Sequence, residues 1–252
     1  MNAIPDMERY ASVSPRSTAR MAGALYLIII VAALFAEVFV RGRLVVSGDA
    51  AATAANILAH QTLYRLGGAA DLVTFLCDAA VALLFYELLK PVSRRLSLFA
   101  AAFRLVFAAL VLVNTLNHFV PLVLLGGAPY LNAFKPDQLQ ALALAALHLH
   151  GTGYTIGLVV FGVHCVLLGW LIARSTFLPR VLGWLMALAG FCYLANSFAG
   201  LVYPPLQGHL YPYILLPAGV VEFSLCGWLL AVGVNVERWE QQAASQNSRS
   251  AG

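Results

Sequence analysis

Charge is what this sequence has least of. Its 252 residues hold 15 basic and 11 acidic side chains, 10% of the chain, where a soluble globular domain carries about 25%. Together with 61% apolar residues and a mean hydropathy of +0.82, that scarcity excludes a soluble domain. The formal charge of +4 does not point to nucleic acid, because the basic residues stand one to three at a time between apolar runs, as orientation signals do. Catalytic and cofactor signatures are missing as well. There is no phosphate-cradling glycine loop, no G-x-S-x-G elbow, no H-E-x-x-H and no polar stretch long enough to hold a nucleotide. Four cysteines, Cys77, Cys165, Cys192 and Cys226, each fall in a different apolar run without C-x-x-C spacing. They read as small buried hydrophobes, not as a disulfide framework or a zinc site.

What fills the chain instead is apolar runs. Residues 151–173 contain no Asp, Glu, Lys or Arg and match the roughly 20 residues that cross a bilayer as a helix. Six such runs are legible, which predicts an all-α polytopic bundle of six transmembrane helices in one domain, 21–235. Residues 1–20, with Pro5, Pro15 and three arginines, read as a disordered tail. The run 21–40 exceeds the core of a signal peptide and reads as a retained first crossing, closed by Glu37, Arg41 and Arg43. Residues 47–66 are too polar to span. Asp49 is placed there to cap a short Ala-rich surface helix. The second crossing is 67–89 and the third 96–125. Pro136-Asp137 starts a new helix, and 139–150 belong either to its lead-in or to a longer fourth crossing. The fifth is 181–202, the sixth 211–234, and 236–252 form a polar tail.

Six crossings put both ends on one side. Arg9, Arg16, Arg20, Lys90, Arg94, Arg95, Arg174, Arg180, Arg238 and Arg249 fall on that side, against Arg41, Arg43, Arg65 and Lys135 on the other. The positive-inside rule then predicts cytoplasmic termini and a multi-pass protein of the cell inner membrane. Tyr203, Tyr211, Tyr213, Trp184 and Trp239 stand near the ends of runs, as interfacial aromatics do. Gly153-x-x-x-Gly157 offers a close-approach face for a homo-oligomer.

Three segments carry a family resemblance: RMAGALYLIIIVAALFAEVFVRGRLVVSGDAAATAANILA, ADLVTFLCDAAVALLFYELLKPVSRRLSLFAAAFRLV and HLHGTGYTIGLVVFGVHCVLLGWLIARSTFLPRVLGW. In order and spacing they resemble the bacterial membrane family catalogued as domain of unknown function 4386, over nearly everything from Arg20 to Val234. The resemblance implies a small integral membrane protein. It brings no activity and no catalytic residues.

Function must then come from polar groups inside the apolar runs, where they are costly. Depth along the helices sorts them into two layers. The inner to middle layer holds Asp78, Arg104, His164 and Glu222, the candidate ligand-binding residues. The outer layer holds Glu37, Asp71, Asn114, Asn117, His118, His148, His150, Tyr154 and Asn196. Asp78 and Arg104 lie at comparable depth across a short basic turn, so an ion pair between them is the plain structural expectation. Glu222 is predicted to be neutral and hydrogen-bonded or paired with Arg104 or His164, with Pro217 freeing a backbone carbonyl before it. His148 and His150 point about 200° apart on a helix and cannot share a metal unless it breaks at Gly151. No metal is predicted. A haem or metal held through His118, His150 or His164 has no local signature.

Three function classes follow. The preferred one is a protein that binds or moves a small amphipathic or lipid-like ligand, with membrane lipids as its surroundings. The others are an intramembrane enzyme using Glu222, His164 or Asp78 as acid or base, and an accessory protein whose polar core only fixes helix register. A closed, fully paired cluster favours the last, and a lateral opening favours the first.

Overall fold

The computed structural model describes residues 14–250. Helix α1 (Pro15–Leu34) starts with proline at a position where its missing N–H is not needed. It continues through a wider π turn (Phe35–Arg41) into a short last turn, α2 (Gly42–Leu44). The chain reverses at Gly48, φ +77°. Asp49 then accepts the Ala52 N–H at 2.8 Å and starts α3 (Ala50–Ala59), as the sequence predicts. Helix α4 (Gln61–Leu89) leads to Ser93, whose Oγ accepts the Leu96 N–H and opens α5 (Arg94–Leu124). Then come α6 (Pro136–Arg174), α7 (Arg180–Val202), the short α8 (Pro204–Leu210), α9 (Leu216–Ala231) and α10 (Val236–Ser250).

Six of these helices are long and apolar enough to cross a membrane: Pro15–Leu44, α4, α5, α6, α7 and Tyr213–Ala231. They pack in a closed cycle, α1 on α4, α4 on α5, α5 on α6, α6 on α7, α7 on α9 and α9 back on α1. One apolar core joins all six, with Tyr26, Phe85, Phe107, Phe161, Met186 and Leu225 among its buried members. A smaller core at the outer end gathers Val40, Leu44, Ile57, Tyr64 and Leu147, which seats α3 against α6.

Several boundaries differ from the sequence reading. Of the tail expected over 1–20, residues 1–13 lie outside the described residues. From Pro15 on it is helical, because Thr18 and Ala19 are buried and extend the packing face of α1. Residues 139–150 belong to the fourth crossing: α6 is one helix of 39 residues, about 58 Å long against an about 30 Å hydrocarbon core. Its excess length carries the α3 platform. Gly151 does not break it. Pro217 stands in the first turn of α9, where its lack of an N–H frees no mid-helix carbonyl. The polar tail 236–252 is helical up to Ser250 and fastened, Trp239 Nε1 donating to the Leu88 carbonyl at 2.8 Å. Gly153 and Gly157 serve an internal contact, since a Cβ on Gly153 would come 2.3 Å from Asn114 Oδ1 and one on Gly157 3.0 Å from Val111.

The tightest helix pair is α6 and α7. A Cβ on Gly169 would stand 2.4 Å from the Ala187 nitrogen and 2.6 Å from the Gly183 oxygen, and one on Gly183 would stand 2.3 Å from the Ala173 nitrogen. Small residues permit this approach where no hydrophobic force drives helices together inside lipid. Gly169→Ala and Gly183→Ala are each expected to destabilise the protein by about 1–3 kcal/mol, seen as a lower melting midpoint in detergent. Gly227→Ala, whose Cβ meets nothing within 4 Å, is the matched control and should not lower it. Equal melting of all three would contradict the close approach.

Candidate functional site

The inner polar residues converge. Arg104 lies ten residues in from Arg94, Asp78 eleven before Leu89, His164 ten before Arg174 and Glu222 nine before Ala231. At about 1.5 Å per residue all four stand roughly 15 Å from the same end of the bundle, near the middle of the hydrocarbon slab.

Arg104, 1% exposed, is the hub. Its Nε donates to Asp78 Oδ1 at 2.9 Å and its Nη2 donates to the same oxygen. The predicted ion pair is therefore formed. Nη1 faces His164 Nε2 at 3.3 Å, while His164 Nδ1 lies 2.8 Å from the Ala100 carbonyl. A guanidinium has no acceptor, so His164 Nε2 must accept and Nδ1 must carry the proton that goes to Ala100. His164 is thereby held neutral in one tautomer, with both ring nitrogens engaged and none left for a metal or haem. Around the guanidinium stand the rings of Tyr26, Phe161 and Phe85, with centroids at 5.2, 5.5 and 5.9 Å. The cation thus has a carboxylate in its plane and aromatic faces about it, an arrangement that suits a desolvated arginine.

Glu222 is near this group but not joined to its ion pair. It is half-buried, and Tyr193 donates to its Oε1 at 2.7 Å. Tyr26, whose ring stands 5.2 Å from the Arg104 guanidinium, is near enough to interact with Glu222 as well. The expected pairing of Glu222 with Arg104 or His164 is not found, because Asp78 already occupies Arg104. Of the two options read from the sequence, a phenol hydrogen bond is the one realised.

The outer layer holds a second network, centred on a residue the sequence reading assigned only to the end of the first crossing. Arg41 makes a bidentate pair with Asp71, Nη1 to Oδ2 at 2.6 Å and Nη2 to Oδ1 at 3.1 Å, and its Nε donates to Glu37 at 2.7 Å. The Glu37 to Arg41 spacing of four on one helix face was the available signal. The π turn that carries both residues is the kind of local widening that often accompanies special sites.

Beside it, Tyr64 stacks on His118 at 4.2 Å, Tyr64 donates its hydroxyl to the His118 carbonyl, and His118 Nε2 meets the Tyr64 carbonyl at 3.1 Å. Asn114 and His150 bind each other's backbones reciprocally: Asn114 Nδ2 donates to the His150 carbonyl at 2.7 Å, and His150 Nδ1 lies 3.2 Å from the Asn114 carbonyl. Asn117 donates to Asn114 Oδ1 at 3.0 Å. The two imidazoles are 5.9 Å apart between centroids. Among the described residues no group of three or more His, Cys, Asp and Glu side chains is close enough to hold a metal.

The other outer candidates are not drawn in. His148 is exposed, Tyr154 packs edge-on to Phe107 at 6.3 Å and is 39% exposed, and Asn196 is buried with Oδ1 unpartnered. Besides Arg41, the residues missed in the sequence are tyrosines. Tyr26, Tyr64 and Tyr193 count as apolar in a hydropathy reading, and only the fold shows their hydroxyls or rings on the polar groups.

The fold and these two polar layers define a multi-pass membrane protein, a closed cycle of six crossings around a buried ion pair. The chain belongs to the family described as domain of unknown function (DUF4386), which matches residues 21–233. It is 28% identical over 138 residues to a protein of Archaeoglobus fulgidus that is itself described as an uncharacterized protein, the match covering 54% of this chain and 66% of that protein. No solved structure matches it.

The paired geometry generates one prediction. Arg104→Leu leaves Asp78 as a buried charge without its partner and is expected to destabilise the protein by about 3–5 kcal/mol, as for other broken buried pairs. Asp78→Leu combined with Arg104→Leu should recover much of that loss in a detergent melting assay. A double variant no more stable than Arg104→Leu alone would show that the two residues are not energetically coupled.

Proposed function

We propose that this protein binds, and by binding moves, a small amphipathic or lipid-like ligand at Glu222. The observation that carries the reading is the contrast inside the mid-membrane layer. Asp78, Arg104 and His164 are closed on one another, which is the arrangement of a packing element. Glu222 has no cationic partner among the described residues, bonds through Oε1 to Tyr193, and stays half-buried. It sits on α9, the most open of the six crossings, 28% of whose apolar window is buried. On this reading a ligand reaches the carboxyl from the side, through lipid. A ligand with an apolar body and a cationic or hydrogen-bond-donating end suits it, the end meeting Glu222 and the body replacing acyl chains against α9.

The enzymatic alternative rests on the same residue alone, because His164 has both nitrogens engaged and Asp78 is held by Arg104. We infer further that the protein resides in a cell inner membrane with both termini in the cytoplasm. The support is the bias of Lys and Arg toward the end where α4, α6 and α9 finish.

Two experiments test these readings. Reporter fusions after Ser93 and after Phe177 are expected to read cytoplasmic and those near Lys135 and Gln207 periplasmic, and the reverse pattern would overturn the orientation. For the site, Glu222→Gln keeps an acceptor for Tyr193, so membrane level and melting are expected to stay near wild type. Complementation of a deletion strain, and retention of co-purifying amphipathic molecules seen by mass spectrometry, should both be lost. If Glu222→Gln and Tyr193→Phe both fold, complement fully and retain the same molecules, the ligand does not bind at Glu222.

A further inference from the structure

Helix α10 lies across the end of the bundle where the arginines gather, and it uses two faces. Trp239 and Ala243 turn toward the end of α4. Arg238, Gln241, Gln242 and Ser245, spaced by three and four, turn toward the connection between α6 and α7. On that second face Gln242 Oε1 accepts from the Thr176 N–H and Oγ1, both at 2.9 Å, and the Asn235 N–H reaches the Phe177 carbonyl at 3.4 Å.

Between this face and the connection lies a cleft of about 730 Å³ whose lining includes Arg180, Arg238 and Leu178 and no acidic side chain. Both arginines are exposed, and among the described residues neither has a carboxylate partner. Arg180 opens α7, whose N-cap is Pro179 without a side-chain cap, so the positive end of that helix adds to the two guanidinium charges. On the opposite face of α10 the charge is partly answered, since the cleft there holds Glu87, which pairs with Lys90, beside Arg94.

We propose that this cleft binds the phosphate of an anionic phospholipid headgroup, of the phosphatidylglycerol kind, between Arg180 and Arg238. The phosphate chemistry alone would also suit a free anion. The place argues for a lipid: the cleft stands where two crossing helices end and begin, Arg174 and Arg180, and Trp184, one turn into α7, is 62% exposed in the manner of an interfacial anchor. Basic pockets at the ends of membrane helices hold such headgroups. A bound lipid would tie α10 to the α6 and α7 connection. The inference is independent of Glu222 and does not depend on which leaflet the end faces.

The test uses the full-length protein in nanodiscs of phosphatidylcholine, with and without a minority of phosphatidylglycerol, and counts retained lipid by native mass spectrometry after mild release. Wild type is expected to retain phosphatidylglycerol selectively. Arg180→Gln and Arg238→Gln should each reduce that retention roughly fivefold, and Lys90→Gln should leave it unchanged. Retention by the double variant equal to wild type, or a loss as large in Lys90→Gln, would overturn the assignment. So would inorganic phosphate bound as strongly in phosphatidylcholine discs and displaced by the same two substitutions, which would make the cleft a site for free anions.

Discussion

A guanidinium and a carboxylate in the middle of a bilayer each cost about 2.5–3.5 kcal/mol on insertion scales, and the rest of this structure is arranged around bringing Arg104 and Asp78 together. Neither residue makes sense on an isolated helix. Meeting requires α4 and α5 to be neighbours at one rotation and one depth, and the remaining donors and faces of Arg104 then recruit α6 through His164 and α1 through Tyr26. An apolar stripe tolerates sliding by a turn, whereas this cluster has one register in which its groups are satisfied. Its value lies in specification more than in net stability, since apolar substitutes of both partners are often as stable.

The cycle of helices is uneven in a way that bears on function. The α6 and α7 pair is locked by glycines at backbone contact, and α5 meets α6 over Gly153 and Gly157. Reciprocal bonds between Asn114 and His150 add a polar latch there. Helix α9 has fewer such devices: Gly219 and Gly227 face open space, its packing on α1 and α7 is lighter, and it is held by Gly23 of α1 close against Leu230, by Cys226 on the Gly23 carbonyl and by Tyr193 on Glu222. Shape complementarity and interhelical hydrogen bonds are what hold helices together in lipid. On the proposed reading, the side of the cycle with the fewest of them is where a ligand would enter, and it is where Glu222 sits.

How much of this was legible follows from what each signal depends on. The six crossings, the short helix behind Asp49 and the matched depth of Asp78 and Arg104 depend on composition and distance along one helix, so they could be read from the chain. The Arg41 to Asp71 pair depends on how α1 turns near its end, and no hydropathy pattern announces a π turn. The unbroken course of α6 through Gly151 brings Gly153 against Asn114 of another helix, a contact that the spacing along α6 does not announce. Pro217 looked like a break because the sequence placed the start of the last crossing at 211. With α9 starting at Leu216, the same proline is an ordinary first-turn residue. The glycines of 153–157 read as an oligomer face because spacing on one helix cannot say which neighbour occupies it.

Charge pairing inside the bundle then leads to one residue. Among the described residues, Arg104 has Asp78, and Arg41 has Asp71 and Glu37. The buried cations are thus each matched to a carboxylate, and Glu222 is left over at the same depth with a phenol for a partner. A phenol can donate one hydrogen bond but cannot balance a charge. In a low-dielectric setting such a carboxyl can accept a further donor, which on the proposed reading another molecule brings. This distinguishes it from the closed pair beside it. Tyr26 stands beside Glu222 with its ring on Arg104, so whatever engages the carboxyl acts on a side chain that also touches the register-setting cation. A ligand arriving at α9 would in this way reach the centre of the fold through one phenol, without breaking the ion pair that assembles it.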